Sequence, residues 1–151
     1  MRKFIFFFLG MFFFFLGMFF PQQAAAITQI VNAGEVLDGG DVHTVVTQRV
    51  YGTTKNFTVS GNQPVMSGGE AYNSNIFPYG QQNVEKGGVS HNTNVQYYAV
   101  QNVNGEAYSS TVASQGIVDV NAGGYAQDTV VNGGMLVVSS GAEVKGTVLN
   151  G

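Results

Sequence analysis

Two histidines, a row of glutamates and seven tyrosines are the side chains of this sequence that could bind a ligand or catalyse a reaction. His43 and His91 each follow a glycine pair, and two imidazoles on adjacent turns of a chain could hold a metal ion. They stand 48 positions apart, and no row of carboxylates accompanies them. We therefore interpret both as exposed histidines near turns, and we expect neither a metal nor another cofactor.

Glu70, Glu106 and Glu143 follow glycines at similar places and could form an acidic row. A glycoside hydrolase needs two carboxylates about 5–10 Å apart, so such a row would suit a carbohydrate-active enzyme. Val89 and Tyr125 interrupt the row, and no Lys or Arg recurs beside it. Solvated turn carboxylates are the favoured interpretation. The sequence thus predicts a protein that is not an enzyme, and a carbohydrate-active enzyme is the alternative.

The tyrosines could form a stripe that binds carbohydrate or protein, because aromatic side chains are enriched at such surfaces. Tyr72, Tyr108 and Tyr125 lie near equivalent places in the sequence without sharing one position, so structural surface aromatics are favoured. The other four are Tyr51, Tyr79, Tyr97 and Tyr98. The glycine pairs match neither the phosphate-binding loop signature nor a calcium-binding nonapeptide repeat, so turns explain them better.

A repeated phrase, Val-x-x-Gly-Gly followed by a polar-apolar pair, must position these side chains. The leading valines recur at spacings of 19, 19, 17 and 18 residues, and a period of about 18 indicates stacked supersecondary units. The copies begin at Val65-Met-Ser-Gly-Gly69, Val84-Glu-Lys-Gly-Gly88, Val103-Asn-Gly105, Val120-Asn-Ala-Gly-Gly124 and Val138-Ser-Ser-Gly-Ala142.

Short β-branched runs such as Ile117-Val-Asp-Val120, bounded by Gly, Asn and Ser, predict strands, whereas the glycine spacing excludes long helices after residue 27. We predict an all-β fold, a parallel β-helix with coils about 4.8 Å apart. A β-sandwich is the alternative, but sandwiches do not repeat Gly-Gly at a fixed place. The predicted corners are Gly39, Gly40, Gly68, Gly69, Gly87, Gly88, Gly123, Gly124, Gly133 and Gly134. The predicted core columns are Val65, Val84, Val103, Val120 and Val138, and Ile76, Val95, Val112, Val130 and Val148.

The coils are expected to span residues 35–151. Val36-Leu-Asp-Gly-Gly40 looks like one more unit and Val50-Tyr-Gly52 like a shortened one, which makes about seven coils. The segment 27–34 would act as an N-terminal cap or lead-in, because a solenoid must protect its open edge. The last coil, ending at Asn150-Gly151, is expected to be uncapped.

Residues 1–26 have the composition of a secretory signal peptide. Arg2 and Lys3 precede an apolar run that carries 10 of the 12 phenylalanines, and Ala24-Ala25-Ala26 offers a cleavage site. The apolar run also approaches the length of a membrane span, so an uncleaved anchor is the alternative. The remaining chain has four basic and nine acidic residues, a net charge of −5, which predicts no nucleic-acid partner.

The stretch Gly123-Gly-Tyr-Ala-Gln-Asp-Thr-Val-Val-Asn-Gly-Gly134 resembles the stalk repeat of AIDA-type autotransporter adhesins, and the resemblance extends over residues 35–151. It implies a right-handed β-helical passenger, secreted or at the surface of a Gram-negative bacterium. Such passengers are normally followed by an outer-membrane barrel, which this sequence lacks, so membrane attachment is expected only through that missing barrel or an uncleaved signal.

The expected function is cell-surface adhesion or self-association, with cell-surface proteins or further copies as partners. A non-functional remnant of a longer adhesin is a further alternative. The resemblance also implies O-glycosylation by a glycosyltransferase, for which the hydroxyls beside the corners are candidates: Ser67, Ser90, Ser109, Ser110, Ser139 and Ser140.

Overall fold

The computed structural model describes residues 26–151, in which every regular element is a β-strand. In chain order the strands are β1 (Ile27–Val31), β2 (Val36–Val42), β3 (Val46–Val50), β4 (Thr53–Val59), β5 (Asn62–Val65), β6 (Glu70–Tyr72), β7 (Asn75–Ile76), β8 (Gln81–Val84), β9 (Val89–His91), β10 (Asn94–Val95), β11 (Val100–Val103), β12 (Glu106–Tyr108), β13 (Thr111–Val112), β14 (Ile117–Val120), β15 (Tyr125–Gln127), β16 (Val130–Asn132), β17 (Met135–Val138), β18 (Glu143–Lys145) and β19 (Val148–Asn150). The predicted signal peptide, apart from Ala26, lies outside the described residues. Within residues 26–151 no helix could cross a membrane.

The strands stack as seven coils, and every pair is parallel. Face 1 is the seven-stranded sheet β1-β3-β5-β8-β11-β14-β17. The long strands β2 and β4 each bend across two faces. Face 2 contains their first halves and then β6, β9, β12, β15 and β18. Face 3 contains their second halves and then β7, β10, β13, β16 and β19. The predicted parallel β-solenoid, with its repeat set by the leading valines, is therefore confirmed.

Corner 1, which joins face 1 to face 2, explains why glycines occur in pairs. Gly68 has φ of +79° and occupies the left-handed region, which glycine reaches without strain. A Cβ on Gly69 would lie only 2.1 Å from the carbonyl oxygen of Val50 in the coil before. The first glycine thus makes the turn, and the second allows the close approach of two coils.

Corner 2, which joins face 2 to face 3, is built mainly from other residues. Its seven successive left-handed residues are Gly39, Asn56, Asn73, Asn92, Ser109, Asp128 and Gly146. Asn and Asp tolerate this conformation better than other non-glycine residues. The Asn73 side chain donates to that of Asn56 at 2.9 Å, and the Asn92 side chain donates to that of Asn73 at 3.2 Å. Corner 2 is therefore held by an amide ladder that a search for glycine pairs does not detect.

The first predicted core column lies inside the solenoid. Val65, Val84, Val103 and Val120 are completely buried, whereas Val138 in the last coil is 49 % exposed. In the second column Ile76, Val95 and Val112 are also completely buried. Val138 lacks the cover of a following coil, so its exposure follows from its position at the end of the stack.

The second column was wrong for its last two residues. Val130 pairs with Thr111 and Val148 pairs with Val130, so both lie on the outward side, and Val148 is 50 % exposed. Val131 takes the inner position, and Leu149 follows it in register. The coil that contains Val103 has a shortened corner 1. The prediction carried its Thr111-Val112 pair over to the two later coils, which moved their assigned core residues by one position.

The first coil also differs from the prediction. Val36 is 59 % exposed on face 2 and does not begin a unit. Gly39 belongs to corner 2, and Gly40 lies beside it, where a Cβ would come within 2.7 Å of the Phe57 ring. The counterpart of the later glycine pairs is Gly34, with φ of +80°. The segment 27–34 therefore contains β1, which pairs with β3 in register, and the first corner of the solenoid.

A spine of glutamines runs through the core beside the first valine column. Gln48, Gln63, Gln82 and Gln101 are completely buried. Each side-chain amide donates to the glutamine of the preceding coil at 2.8–2.9 Å, starting from Gln29. Hydroxyls on the opposite wall add further bonds, such as Ser110 to Gln101 at 2.8 Å.

The spine ends where Val118 pairs with Gln101 and Leu136 pairs with Val118. In that part of the core the buried hydroxyl of Thr129 has no hydrogen-bond partner within the described residues. The first five coils thus have an amide-containing core, and the last two have an aliphatic one.

Candidate functional site

On the described surface, the side chains that could bind a ligand or catalyse a reaction lie closest together on face 2. Two outward columns run along it, because alternate residues of a strand point to the same side. One column contains Glu70, Val89, Glu106, Tyr125 and Glu143, and the other contains Tyr72, His91, Tyr108, Gln127 and Lys145. We call these two columns together the aromatic ladder.

The rings of the aromatic ladder stack along the solenoid axis. Tyr72 and His91 have centroids 4.6 Å apart and planes within 8° of parallel, and His91 and Tyr108 are 5.2 Å apart within 13°. Tyr125 belongs to the neighbouring column and meets Tyr108 at 5.8 Å in a tilted arrangement. The Lys145 ammonium lies 5.6 Å from the Tyr125 ring centroid, within cation–π range.

The hydroxyls of Tyr72 and Tyr108 are tied to carboxylates, whereas the Tyr125 hydroxyl donates to the amide oxygen of Gln127 at 2.7 Å. Tyr72 donates to Glu70 at 2.7 Å, and Tyr108 donates to Glu106 at 2.5 Å. The hydrogen bond to Glu106, assisted by partial burial and by the negative charge, raises the pKa of Tyr108 to about 12. The bond to Glu70 also raises the pKa of Tyr72. Both tyrosines therefore stay protonated in any physiological medium.

The candidate acidic row, which the sequence did not favour, lies in register on face 2 and is interrupted by Val89 and Tyr125. Val89 pairs with both Glu70 and Glu106, which stand two coils apart, or about 10 Å at about 4.8 Å per coil. Glu70 and Glu106 each accept a tyrosine hydroxyl, whereas Glu143 pairs with Lys145 at 2.8 Å. Glu70 and Glu106 therefore orient Tyr72 and Tyr108.

The two histidines do not come together. His43 is exposed at the turn after the first coil, whereas His91 is half-buried within the aromatic ladder. They lie on different sides of the solenoid, although each follows a glycine pair. No group of three or more potential metal ligands occurs in residues 26–151.

The serines proposed as glycosylation sites divide into two groups. Ser67, Ser109 and Ser140 are exposed, and Ser139 is half-buried. Ser90 and Ser110 are wrong as surface sites, because both are buried and hydrogen-bonded to Gln101 at 3.0 and 2.8 Å. They occupy inward positions, where a hydroxyl pairs with the glutamine spine.

A second aromatic group lies at corner 3, which joins face 3 to face 1 of the next coil. Tyr79, Tyr97 and Tyr98 are 77 %, 46 % and 45 % exposed. We call them the tyrosine corner. The centroids of Tyr79 and Tyr98 are 5.7 Å apart, and those of Tyr97 and Tyr98 are 4.0 Å apart with a 50° tilt. The sequence places Tyr97 and Tyr98 one coil after Tyr79, but their cluster depends on the corner geometry.

A structural comparison finds the same architecture in a known protein. No protein-family model matches the chain, and a search of characterised proteins gives no match. The chain is similar to the crystal structure of the TibC-catalysed, hyper-glycosylated TibA 55–350 fragment, with a TM-score of 0.71 and 24 % identity. The match covers 82 % of this chain and 54 % of the TibA fragment, so the chain spans about half of that structure. The likeness establishes a shared β-solenoid fold.

Proposed function

We propose that this chain is an exported β-helical stalk or passenger segment that acts in adhesion or self-association, secreted from or held at the surface of a Gram-negative cell. The observation that carries the proposal is the registered aromatic ladder of face 2, which presents rings and carboxylates coil after coil. Contacts that are weak singly add up when a partner engages several of them together. A surface of this kind suits attachment better than turnover, because its carboxylates already accept hydrogen bonds from tyrosines.

Export is proposed from the signal-like residues 1–26, with cleavage before Ile27. Mass spectrometry of the protein recovered from periplasm or medium should find Ile27 at its N-terminus. Recovery of a form that begins at Met1 in the inner membrane would contradict cleavage. The resemblance to AIDA-type stalk repeats supports a right-handed coil.

O-glycosylation is proposed for the exposed corner hydroxyls, in analogy to the TibA fragment, which was hyper-glycosylated by TibC. Ser67, Ser109 and Ser140 are accessible to an enzyme, whereas Ser90 and Ser110 are not. Expression with and without TibC, followed by peptide mass mapping, tests this proposal. Sugar on Ser90 or Ser110, or none on the exposed serines, would contradict it.

The adhesion proposal is tested by displaying the chain, fused to a membrane barrel, on non-adherent cells. We expect cell aggregation or attachment, and we expect a His91→Ala, Tyr108→Ala double variant to reduce it. Asn102→Ala is the matched control, because its side chain belongs to an outer amide ladder on face 1 of the same region. If cells that display the parent chain neither aggregate nor attach, the adhesion proposal is refuted, and the chain is a passive spacer or a remnant.

The enzyme alternative is tested with the same preparation. Release of sugar products from a panel of polysaccharides, abolished by Glu106→Gln, would favour a carbohydrate-active enzyme over an adhesin. We expect no release, because neither Glu70 nor Glu106 is free of a tyrosine hydroxyl.

A further inference from the structure

The tyrosine corner is separate from the aromatic ladder, and its rings differ from those of the ladder in exposure and arrangement. In the ladder, the rings of Tyr72, His91 and Tyr108 stack nearly face to face, and the hydroxyls of Tyr72 and Tyr108 are bonded to carboxylates. At the tyrosine corner Tyr79 stacks on Tyr98 at 23° but is 77 % exposed, and Tyr97 is tilted by 50° against Tyr98. The three rings therefore form a bent, accessible surface.

The backbone beneath two of these rings is in an unfavourable conformation. Tyr79 has φ of +67° and Tyr98 has φ of +56°, and a bulky residue in this region is an outlier. The equivalent position in the coil after Tyr98 is Gln115 at +59°, and one coil further it is Gly133 at +74°. Glycine therefore suffices for this corner, and tyrosine is held there against its backbone preference. Strain retained in this way is characteristic of functional surfaces.

Uncharged amides flank the tyrosine corner on both sides. On face 3, Gln96 donates to Asn75 at 2.7 Å, and Asn94 donates to Asn75 at 3.1 Å. On face 1, Gln81 donates to Asn83 at 3.0 Å. Every Asp, Glu, Lys and Arg of the three coils from residue 62 to 116 lies at corner 1 or on face 2. The tyrosine corner is thus rich in aromatic rings and amides and has no charged neighbour in its own coils.

We propose that the tyrosine corner is a binding site for a neutral carbohydrate. The apolar C–H surface of a sugar ring fits against an exposed tyrosine ring, and its hydroxyls fit the tyrosine hydroxyls and the flanking amides, which both donate and accept. An acidic or basic partner would find no opposite charge here. Tyr79 and Tyr98 belong to successive coils and their ring centroids lie 5.7 Å apart, so successive sugar units of a short linear chain can meet successive coils. This site does not depend on the proposed role of face 2.

The test measures binding of tetrasaccharides to the complete chain by saturation-transfer NMR and titration calorimetry. The neutral probes are maltotetraose, cellotetraose and N-acetylchitotetraose, and a heparin-derived tetrasaccharide is the anionic comparison. Each is used up to about 10 mM, which detects dissociation constants in the millimolar range. We expect at least one neutral probe to bind and the anionic probe not to bind.

Tyr79→Gly and Tyr98→Gly distinguish a binding role from a structural one. Each substitution relieves a left-handed tyrosine, so the protein should unfold at the same or a higher temperature while its affinity falls at least tenfold. Gln115→Gly is the matched control, since it makes the same backbone change at +59° without removing a ring. It should leave sugar binding unchanged.

Three results would overturn the proposal: no neutral probe binds, the anionic probe binds better, or both glycine variants bind as the parent does. The adhesion assay uses face 2 variants and reads cell attachment. Adhesion without sugar binding would therefore refute this site alone, and sugar binding without adhesion would refute the role of face 2 alone.

Discussion

Replacing Gln82 by leucine tests whether the glutamine spine stabilises the fold. Gln82 is completely buried and makes four side-chain hydrogen bonds. It donates to Gln63 at 2.8 Å and to Ser74 at 3.0 Å, and it accepts from Gln101 at 2.9 Å and from Thr93 at 3.2 Å. Leucine has a similar volume and removes all four bonds without leaving a large cavity.

The expected loss follows from the number of bonds and from their burial. Four hydrogen bonds at about 1 kcal/mol each amount to about 4 kcal/mol. The additional apolar surface of leucine returns roughly 1 kcal/mol. We therefore expect Gln82→Leu to lower the free energy of unfolding by about 3 kcal/mol. The Thr93 hydroxyl, which donates to Gln82 at 3.2 Å, then loses this acceptor inside the core.

Asn83→Leu is the matched control, because Asn83 is the next residue and belongs to an amide ladder on the outside. It donates to Asn62 at 2.8 Å and accepts from Gln81 at 3.0 Å and Asn102 at 2.8 Å. Water can replace these bonds, so we expect a loss below about 1 kcal/mol. Equilibrium urea unfolding followed by circular dichroism measures both variants. The energetic role of the spine is refuted if Gln82→Leu has the same free energy of unfolding as the parent. It is also refuted if Asn83→Leu lowers the free energy of unfolding as much as Gln82→Leu does.

Three further variants test other parts of the structure. Gly69→Ala should lower the free energy of unfolding in urea by about 3 kcal/mol, because its Cβ would lie 2.1 Å from a carbonyl oxygen. Gly68→Ala, with open space around it and φ of +79°, should lower the free energy of unfolding by about 1 kcal/mol. Equal losses would contradict the different roles of the two glycines. Tyr108 should ionise near pH 12 in ultraviolet titration, and Glu106→Ala should lower this pKa. Because the folded pKa exceeds the unfolded value of about 10, the contribution of Tyr108 to stability is complete below pH 10 and is lost as the pH rises through 12. An unchanged titration in Glu106→Ala would be evidence against the role of the carboxylate. Val118→Gln should raise the free energy of unfolding by about 1 kcal/mol, and the urea midpoint with it, because it extends the spine towards the unpartnered buried hydroxyl of Thr129. A lower midpoint would show that the core around Val118 lacks the space for glutamine.

The period of the leading valines was sufficient to predict the fold. Each inward valine pairs with its equivalent in the next coil, so the regular spacing of the valines in sequence becomes one column in space. The same reasoning failed at Val130 because one coil is shorter. The separation of Val65 from Ile76 recurs between Val84 and Val95, and applied from Val120 it leads to Val131, which lies on the inside. Counting along each full-length coil would have corrected the column.

The glutamine spine has a clear sequence signal that a search for hydrophobic residues overlooks. Gln29, Gln48, Gln63, Gln82 and Gln101 each stand two positions before an inward valine. Residues two apart in a strand point to the same side, so all five were directed to the core. Side-chain burial of glutamine is uncommon, because its amide must be satisfied. Here the amides are satisfied by the glutamines of neighbouring coils and by hydroxyls on the opposite wall.

The aromatic ladder and the tyrosine corner were less accessible to sequence reasoning for a different reason. Tyr72, His91 and Tyr108 share one column, but recognising it requires the register of face 2 rather than the positions of the glycines. The tyrosine corner depends on left-handed backbone at Tyr79 and Tyr98, which no composition rule predicts. A periodic sequence therefore predicts which residues repeat, whereas the corners decide which side of the solenoid they reach.

The change from glutamine to Val118 and Leu136 in the core gives the two ends of the solenoid different means of specifying register. An aliphatic column tolerates small shifts, because the hydrophobic effect has no directional preference. A buried amide column does not, since each amide must meet the carbonyl oxygen of the preceding glutamine at 2.8–2.9 Å. One step of the spine is shorter than the others, since Gln63 follows Gln48 by 15 residues whereas every other bonded pair stands 19 residues apart. The aliphatic core follows, with Val118 17 residues after Gln101 and Leu136 18 residues after Val118. We conclude that the polar spine fixes the register across the shortest step of the repeat, from Gln48 to Gln63.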